Sequence, residues 1–600
     1  MTPTPPAENA RCWLSSFALA LERRDYSATR DLFLVDAFWR DIVAFSWNIH
    51  TAEGRDSIED MLRATLDHVK PRAWRLHGEP QETNGEISAW LIFETEAGEG
   101  LGRLVLRDGR CAILFTTLQQ LRGHNEQIAA NRNREHGVQH GAYKQRRSWL
   151  DVIREEEAEL GYTKQPYCVI VGGGQGGLGL AARLKRLNVP TIVIEKNPRA
   201  GDSWRNRYRT LCLHDPVWFD HMPYIPFPDH WPVFSPKDKL GDWLEMYAKV
   251  MELNFWGATT CLGASYDEQA GLWSVQVERE GEPLMLHPAH LILATGMSGS
   301  PKIPEVPGAE TFAGTICHSS EHRSGEAYAG KPCVVIGSNT SGHDICADLW
   351  ESGAQVTMVQ RSPTIVVRSE TMSEMFWSSL YSEEAVAIGM DTETADLIGS
   401  STPFKLAPAR LRLVTAKIRE RDAEMYAGLE AAGFQFDFEE DDSGIGGAYP
   451  RRGGGYYIEV GASQLLIDGE IALKSQVNVE RIRHDGVELS DGTFLPADLI
   501  VFATGYGPMN EWAEKLISKE VAHRVGRCWG LGSGTKGDPG PWEGELRNMW
   551  KPTQQPGLWF HGGNLMQSRF YSRFLALQLK ARHEGLATPV YALAPVHHSE

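Results

Sequence analysis

The chain has 600 residues, 42% of them hydrophobic and 23% charged, which is typical of a globular protein large enough for several domains. Sixty Lys and Arg residues against 78 Asp and Glu residues give a net charge of −18, which argues against nucleic acid or an anionic membrane as an obligate partner. The composition also excludes collagen-like, low-complexity and mostly disordered chains.

The nine cysteines stand singly, with no C-x-x-C pair and no Cys/His cluster at the spacing of zinc ligands. We therefore predict reduced thiols, no metal site and a reducing compartment. The N-terminus has neither the basic start nor the apolar run of a secretory signal, and no apolar stretch reaches the roughly 18 residues of a membrane span. These features predict a cytoplasmic protein without a membrane partner.

Residues 1–142 are predicted to form a small α+β unit. Apolar residues at Trp13, Phe17 and Leu21 predict a first helix capped by Asn9, and Phe38–Trp47 has the aromatic and β-branched composition of a strand. Asp108-Gly109 predicts a hairpin turn, because both positions need a positive φ. The other predicted elements are a helix over Ser57–Val69 and strands over Ile87–Thr95, Gly102–Leu106 and Cys111–Leu118.

This order of elements, with the WxxF…G…GRL pattern between Trp90 and Leu104, resembles nuclear transport factor 2 and the polyketide cyclases. The resemblance implies a cone-shaped α+β fold that often encloses a pocket. The alternative, which we favour, is that the aromatic residues simply fill the core. The residues that would line such a pocket are Trp39, Asp41, Trp47 and His50. A charge-rich segment over 143–165 is a predicted linker helix that ends near Gly161.

The segment over 168–177, CVIVGGGQGG, carries a G-x-G-x-x-G pattern at Gly172, Gly174 and Gly177. An apolar strand precedes it and a helical pattern follows, so the glycines allow a tight turn, close approach to a pyrophosphate and helix–sheet contact. The next predicted strand, Thr191–Ile194, ends at Glu195, whose carboxylate can accept hydrogen bonds from ribose hydroxyls. The order of these signals predicts a dinucleotide site.

A second signature, CVVIGSNTSG, covers 333–342. Gly337 and Gly342 occupy the first and third glycine positions, and Asn339 stands at the second. We expect the turn to survive this replacement, because Asn tolerates a left-handed backbone better than most residues. The strand that follows ends in Gln360-Arg361-Ser362 rather than in an acid. An Arg can bind the 2′-phosphate that an acid would repel, so this site predicts NADPH. The alternative is that Arg361 is only solvated at the end of the strand. Arg368 is a possible second contact to the 2′-phosphate.

Two apolar strands end in ATG, over 291–296 and 499–505. One chain with two dinucleotide sites predicts an enzyme that moves hydride from a nicotinamide to a flavin, and the acid at the first site suits FAD. In such flavoproteins the ATG strands mark the crossings between the FAD and NADPH domains. A disulfide reductase shares both sites but needs a pair of redox cysteines, whereas Cys212 stands alone.

Residues 312–322, FAGTICHSSEH, resemble the FxGxxxHxxx(W/Y/F) fingerprint of class B flavin monooxygenases, and 324–350 resembles their YUCCA branch. The resemblance covers about 166–580. It implies an FAD-containing, NADPH-dependent monooxygenase, of the EC 1.14.13 type, that oxygenates a small N-, S- or carbonyl-type substrate through a flavin C4a-(hydro)peroxide. The implied fold class is α/β, with two Rossmann-like domains after the α+β cone. The implied boundaries are an FAD domain over 166–300 and 499–600, interrupted at 301–498 by an NADPH domain with a helical insertion.

Departures from the fingerprint limit the finer assignment. His322 replaces an aromatic residue, and Arg323 stands where Baeyer–Villiger members usually have Pro or Asp, which weakens ester formation from ketones without removing it as an alternative. An NADPH oxidase or reductase is the other alternative. The stretch over 210–216, TLCLHDP, resembles the LHLP stretch of the YUCCA branch, which places His214 and Asp215 over the flavin as candidate catalytic residues. A packed turn is the alternative for His214, and His318, a third candidate, could simply hold backbone at the domain crossing.

The resemblance also extends the set of expected cofactor contacts and partners. The additional cofactor residues are Lys196, Ser203, Trp204, Ala294, Gly296, Ser341, Ser362, Gly505, Asn564 and Gln567. The predicted partners are a small-molecule substrate, O2 and NADPH, with a homodimer left open. The acidic run over 436–444 is predicted to be a solvated face. The glycine-rich turn over 451–457 is expected to border the substrate channel.

Overall fold

The computed structural model describes residues 5–132, 141–142, 144–297 and 299–598. The expected first residue of the linker helix, Tyr143, and Ser298 after the first ATG strand lie outside the described residues. The N-terminal unit consists of α1 Pro6–Arg23, α2 Tyr26–Asp31, β1 Phe33–Ile42, β2 Ile49–Glu53, α3 Arg55–Val69, β3 Arg72–Thr83, β4 Glu86–Glu94, β5 Gly98–Arg107 and β6 Arg110–Leu121.

The six strands of this unit form one sheet in the order β2-β1-β6-β5-β4-β3, in which β1 and β6 are parallel and the other neighbours antiparallel. The predicted hairpin is confirmed, since Asp108 and Gly109 have φ values of 51° and 73°. Asn9 is not a cap, because α1 begins at Pro6, whose ring presets the helical φ at a first-turn position. The sequence signals missed β3.

The strand predicted over Phe38–Trp47 is wrong at its end, because β1 stops before Val43, whose φ is 70°. The buried Asp41 carboxylate fixes the turn by accepting hydrogen bonds from the backbone N–H groups of Phe45 and Ser46, at 3.0 and 2.9 Å. Asp41 is thus a structural residue of the turn.

The aromatic residues of the unit fill its interior. Trp13 stacks on Phe17 with ring centroids 4.7 Å apart, and Trp74 stacks on Phe93 at 4.3 Å. Trp39 is fully buried and Trp47 is 4% exposed, which confirms the core interpretation of these two residues. His50 is half-buried and packs edge-on against Tyr591.

The chain then runs through a short helix into the first nucleotide-binding sheet. The elements are α4 Trp149–Glu159, β7 Cys168–Val171, α5 Gln175–Arg186, β8 Thr191–Ile194, α6 Asp202–Arg205, β9 Cys212–Pro216, β10 Phe234–Pro236, α7 Lys237–Val250, β11 Phe255–Trp256, β12 Thr259–Asp267, β13 Leu272–Arg279, β14 Glu282–Leu286 and β15 His290–Leu293. The expected linker helix is therefore shorter than 143–165, because Ser148 caps α4 at its start.

The remaining elements build the second sheet, a helical insertion and the return to the first sheet. They are β16 Thr315–His318, β17 Pro332–Ile336, α8 Thr340–Glu351, β18 Gln355–Gln360, β19 Ile365–Arg368, α9 Ser369–Met372, α10 Glu383–Ala387, α11 Thr392–Ser400, α12 Ala407–Arg421, α13 Ala423–Ala431, α14 Gly444–Arg452, β20 Tyr456–Glu459, α15 Ala462–Ile467, β21 Ala472–Ser475, β22 Val479–Arg483, β23 Gly486–Leu489, β24 Phe494–Pro496, β25 Leu499–Phe502, α16 Asn510–Leu516, α17 Lys519–Val525, β26 Leu558–Phe560 and α18 Leu565–His583.

Two five-stranded parallel sheets carry the predicted nucleotide sites, in the orders β11-β8-β7-β15-β26 and β16-β25-β17-β18-β21. The strands expected at Cys168–Val171 and Thr191–Ile194 are confirmed as β7 and β8. Residue 499 does not open the second part of the FAD domain. Instead β25 pairs with β16 and β17 inside the second sheet, so the chain returns to the first sheet only afterwards.

The two connections between the sheets run side by side. The backbone N–H of Lys302 donates to the Gly505 carbonyl at 3.0 Å, and that of Gly507 donates to the Ser300 carbonyl at 2.7 Å. Both crossings are therefore held as one short ribbon. Within the described parts of the chain, no helix has the length and apolarity to cross a bilayer.

Candidate functional site

A cavity of about 2000 Å³ lies between the two nucleotide-binding loops. Its wall includes Gln175 and Trp204 from the first half, Asn339 and Arg361 from the second, and Asn564 before α18. One cavity therefore contacts both predicted nucleotide sites, as transfer between two bound nucleotides requires.

The glycines of the first loop have two different roles. Gly172 and Gly177 are required by close backbone contacts, whereas Gly174 leaves open space beside the loop. A Cβ on Gly177 would lie 1.9 Å from the Gly172 carbonyl oxygen, and one on Gly172 would lie 2.3 Å from that of Ala294. Gly174 has an extended backbone, with φ of −77°, and a Cβ there would meet only Ser203 Oγ, at 3.8 Å. Space at Gly174, beside the first turn of α5 with its free N–H groups, fits a pyrophosphate.

Glu195 lies against this loop as predicted from its position after β8. Its side chain accepts hydrogen bonds from the Gly173 N–H at 2.8 Å and from the N–H and Nδ2 of Asn197, at 2.9 and 2.6 Å. The next residue, Lys196, is exposed. Glu195 thus shapes the loop while its carboxylate stays beside the site.

Three predicted cofactor contacts come together at the start of α18. Asn564 caps this helix by accepting a hydrogen bond from the Gln567 N–H at 2.9 Å. Gln175 donates from Nε2 to the Gly563 carbonyl at 3.3 Å and accepts from Trp204 Nε1 at 3.2 Å. The tryptophan loop, the first glycine loop and the last helix thereby form one wall.

The second glycine loop repeats the geometry of the first. A Cβ on Gly342 would lie 2.2 Å from the Gly337 carbonyl oxygen, and one on Gly337 would lie 2.2 Å from that of Ala503. Asn339 is not left-handed as expected. Its φ is −88°, close to that of Gly174, so this position does not require a positive φ and accepts a residue other than glycine.

At the position where the first site has the acid Glu195, the second site has the neutral residue Gln360. Ile194 and Val359 pair with the last residues of β7 and β17, the strands that lead into the two glycine loops, which makes Gln360 the counterpart of Glu195. Gln360 is buried and exchanges hydrogen bonds with the Gln435 backbone, both 2.8 Å long. Arg361 and Ser362 are exposed and border the cavity, together with Ser341, whereas Arg368 is not among its lining residues.

The predicted residues over the flavin, His214 and Asp215, both line the cavity. Nε2 of His214 lies 3.9 Å from Oδ1 of Asp215. Burial raises the pKa of Asp215, and the neighbouring His214 opposes this. A carboxyl that holds its proton more tightly than usual is thus paired with an imidazole at the cavity wall.

His318 occupies the domain crossing, where both ring nitrogens have partners. Nε2 lies 3.0 Å from the Gly505 carbonyl oxygen, and Nδ1 accepts from the Ser320 N–H at 3.2 Å. Burial lowers the pKa of His318, which favours the neutral ring that these bonds require. His318 is absent from the cavity lining, so its geometry matches the backbone-holding alternative.

His322, which replaces the aromatic residue of the fingerprint, is held by a buried carboxylate. Its Nε2 lies 2.9 Å from Oδ2 of the fully buried Asp348, which also accepts from the Gly325 N–H at 2.8 Å. A polar ring suits this position because an aromatic hydrocarbon would leave the buried Asp348 carboxylate with one partner fewer.

Sequence reasoning missed a second carboxyl at the cavity wall. Asp344, on α8, accepts a hydrogen bond from the Tyr208 hydroxyl at 2.5 Å. Burial raises its pKa to about 6 despite this bond and the nearby positive groups. The only sequence signal for Asp344 was its position four residues into the helix that follows the second glycine loop. That position does not distinguish a buried acid at the cavity from an acid on the protein surface.

The acidic run over 436–444 is only partly the solvated face that we expected: Asp437, Glu440 and Asp442 are exposed, whereas Glu439 and Asp441 are held in ion pairs. Glu439 is 4% exposed and pairs with both Arg451 and Arg452, and Asp441 pairs with Arg451 at 2.6 Å. The run faces the cavity through these ion pairs because α14 carries both arginines to it. The glycines that follow Arg452 border the cavity, as expected of this turn.

Comparison with known proteins places this architecture. A model for pyridine nucleotide-disulphide oxidoreductases matches residues 169–402. The indole-3-pyruvate monooxygenase YUCCA1 of Oryza sativa subsp. japonica is 31% identical over 343 residues, which cover 57% of this chain and 77% of the relative. The chain belongs to the flavin-dependent monooxygenase family. It is an NADPH- and O2-dependent monooxygenase, and its cofactors are FAD and NADPH.

Other relatives agree with this family. A probable indole-3-pyruvate monooxygenase, YUCCA9, of Arabidopsis thaliana is 29% identical over 354 residues, covering 56% of this chain and 74% of the relative. The solved cyclohexanone monooxygenase from Rhodococcus sp. Phi1, bound to NADP+, shares the fold with a TM-score of 0.50, 16% identity, and coverage of 70% of this chain and 84% of that one. All nine cysteines of this chain are free thiols, and Cys212 is an exposed one of them.

The space at Gly174 makes this position a direct test of FAD binding. We expect Gly174→Ala to fold normally, because its backbone is extended and its Cβ would have room, but to purify with almost no bound flavin. Visible absorbance and thermal unfolding measure the two effects. Gly179→Ala, five residues on in α5 where the Cβ would make ordinary contacts at 3.6 Å, is the matched control that keeps its flavin. A fully yellow Gly174→Ala would contradict this placement.

The pKa of Asp344 predicts a pH dependence of stability. The folded protein holds this proton up to about pH 6, whereas an unfolded aspartate loses it near about pH 3.9. The free energy of unfolding therefore falls by about 2 kcal/mol as the pH rises between these values, and Asp344→Asn removes this loss. We expect the variant's Tm to rise relative to wild type between about pH 5 and about pH 7.5. The exposed Asp36→Asn is the control, and parallel Tm profiles for Asp344→Asn and wild type would refute the assignment.

Proposed function

We propose that the substrate of this monooxygenase is a small aromatic 2-oxo acid, and that the N-terminal unit is a nuclear transport factor 2-like domain. The relatives named indole-3-pyruvate monooxygenases suggest the substrate class, since indole-3-pyruvate joins an aromatic ring to a 2-oxo carboxylate. In the proposed division, residues 1–142 form that domain and 143–165 the linker. The FAD domain begins at 166, gives way at 301 to the NADPH domain, and resumes after β25.

The observation that supports this substrate class is an arginine of the cavity wall, Arg527, that has no ion pair among the described residues, a property that it shares with Arg207 and Arg361. Arg527 is half-buried and donates from Nη2 to the Gly537 carbonyl at 3.2 Å, and no ion pair is recorded for it among the described residues. Burial lowers the pKa of Arg527, while the nearby Asp538 carboxylate opposes this shift and Arg547 adds to it. Nearby arginines differ, since Arg451, Arg452 and Arg547 all pair with carboxylates.

An aromatic residue two positions after Arg527 also lines the cavity. Trp529 lines the same wall and packs edge-on against Tyr449, with ring centroids 5.5 Å apart. The hydroxyl of Tyr449 in turn donates to Gln567 at 2.8 Å, at the start of α18. An arginine for a carboxylate and an aromatic wall for a ring are the two features that an aromatic 2-oxo acid needs.

In this proposal, separate groups of residues bind FAD, bind NADPH and position the wall of the cavity. The first glycine loop, Glu195 and the start of α18 hold FAD, and the second loop with Arg361 and Ser362 holds NADPH. The chemistry that FAD supplies when bound is acceptance of hydride from NADPH and activation of O2. His214 and Asp215 orient polar groups at the wall, and His318 fixes the crossing that separates the two nucleotides.

Substrate oxidation tests the proposal directly. We expect indole-3-pyruvate to lower the hydrogen peroxide released per NADPH consumed and to yield product carrying one atom from isotopically labelled O2. A neutral ketone such as cyclohexanone is the comparison, because the Baeyer–Villiger alternative predicts that it, and not the 2-oxo acid, receives the oxygen atom. Peroxide release equal to NADPH consumption with both compounds would instead support an NADPH oxidase.

Arg361 gives a prediction for coenzyme choice. Arg361→Ala removes the cation proposed for the 2′-phosphate, so the preference for NADPH over NADH should fall by about tenfold or more. The ratio of kcat/KM for the two coenzymes measures this. Arg368→Ala removes a nearby arginine outside the cavity lining and should leave the ratio unchanged. An unchanged ratio in Arg361→Ala would show a merely solvated side chain.

Arg527 gives a prediction for substrate binding. Arg527→Met keeps much of the side-chain volume but removes the charge, so KM for the 2-oxo acid should rise by about tenfold or more. KM for NADPH should not change. The exposed Arg524→Met, whose side chain pairs with Glu268, is the control, because Arg524 lies in the last turn of α17, three residues before Arg527. A rise in KM for NADPH alone would assign Arg527 to a phosphate of the coenzyme.

A further inference from the structure

The N-terminal unit and the flavin-binding part share one continuous buried core. The cluster that contains Trp39 and Phe115 of the N-terminal sheet also contains Val169 of β7, Trp550 and Phe574 of α18. The unit is therefore packed into the enzyme rather than tethered to it by the linker alone.

Arg40, on β1, lies at the centre of this contact and is 2% exposed. Its Nε and Nη2 donate to the two carboxylate oxygens of Glu545, both at 2.7 Å. Nη2 also lies 3.2 Å from the Tyr571 hydroxyl on α18, and Nη1 donates to the Ser400 carbonyl at the end of α11. One guanidinium thus joins the N-terminal sheet, the helical insertion, the segment before β26 and the last helix.

The partner carboxylate is held from the same unit by a second bond. Thr51, on β2, donates from its hydroxyl to Oε1 of Glu545 at 2.6 Å. Glu545 is 3% exposed, so the ion pair is shielded from water on both sides. Such a pair fixes a geometry strongly, because loss of either member leaves the other charge buried without a partner.

The segment that Glu545 anchors continues directly to the cavity. Two residues on, the Arg547 carbonyl accepts a hydrogen bond at 2.9 Å from the N–H of Trp529, which lines the wall. Trp550 stacks on Tyr571 with ring centroids 3.9 Å apart and donates from Nε1 to the Gly562 carbonyl at 3.1 Å. Gly562 lies in the loop that leads into α18, one residue before Gly563, to which Gln175 of the first glycine loop donates.

We propose that Arg40 is a positioning residue for the flavin site: through Glu545 it fixes the Trp529 wall and the loop before α18, and the N-terminal unit is thereby a structural part of the monooxygenase centre. None of the described residues of the unit is among those that line the cavity. Its contribution is to hold the segments over 526–551 and 561–567 in the arrangement that encloses the cavity.

The test compares Arg40→Met and Glu545→Gln with the double variant Arg40→Met/Glu545→Met in the full-length, FAD-loaded enzyme. Each single variant leaves a polar or charged group unpaired in the core, whereas the double variant replaces the pair by apolar side chains. Hydrogen exchange of the peptides over 526–551 and 561–567 is the first readout, and it does not depend on activity. The dissociation constant for FAD and the near-UV and visible dichroism of the bound flavin are the others.

We expect exchange in both peptides to speed up by about tenfold or more in Arg40→Met, and the dissociation constant for FAD to rise by a similar factor. Exchange of β7 and β17 should not change. The double variant should recover most of both effects. Arg103→Met is the matched control, because Arg103 also reaches from the N-terminal sheet to the helical insertion, by one bond of 2.8 Å to Ser401, without contacting Glu545 or α18.

Two outcomes would overturn the proposal. Unchanged exchange in both peptides and an unchanged FAD dissociation constant in folded Arg40→Met would show that the pair only attaches the unit. Equal acceleration of exchange throughout the chain, in all variants including Arg103→Met, would show general destabilisation. Should Arg40→Met fail to fold, the milder Glu545→Gln decides with the same measurements: faster exchange confined to the two peptides supports the proposal, and unchanged exchange overturns it.

Discussion

The backbone contact between the first and third glycines governs both halves of the enzyme. In each loop the third glycine lies so close to the carbonyl of the first that a single added carbon would sit about 2 Å from it, as at Gly177 (1.9 Å) and Gly342 (2.2 Å). This contact brings the start of the following helix against the strand end. It leaves the N–H groups of the first helical turn directed to the space between them. The cavity, the position of Glu195 and the exposed Arg361 all follow from two such junctions that face one another.

Local sequence patterns predicted the parts of the fold that consecutive residues determine. Strand, turn and helix at 168–186 are visible because an apolar run, glycines and a helical period follow each other directly, and the structure confirms β7 and β8 residue for residue. The residues that distant segments control were not predictable in this way. The end of β1 depends on the Asp41 turn, and the membership of β25 in the second sheet depends on β16, which lies about 180 residues earlier.

The candidate site shows the same division. The motif residues at both loops lie where their spacing predicted, yet the reason given for Asn339 was wrong, because the position is extended rather than left-handed. The acidic run over 436–444 was read as solvated, since charge runs usually are. Only the fold shows that α14 brings Arg451 and Arg452 to it. Asp344 and Arg527 carry no motif, and what distinguishes them is burial at the cavity wall, which shifts the pKa of both.

The ribbon formed by the two crossings has a mechanical consequence. Because Lys302 is bonded to Gly505 and Ser300 to Gly507, the two sheets are joined along one line rather than at two separate points. Such a joint resists sliding and twisting but leaves rotation about its own axis comparatively soft. We therefore expect any movement of one sheet relative to the other to be a rotation about this line. Such a rotation would change the width of the cavity, while each glycine loop moved with its own sheet.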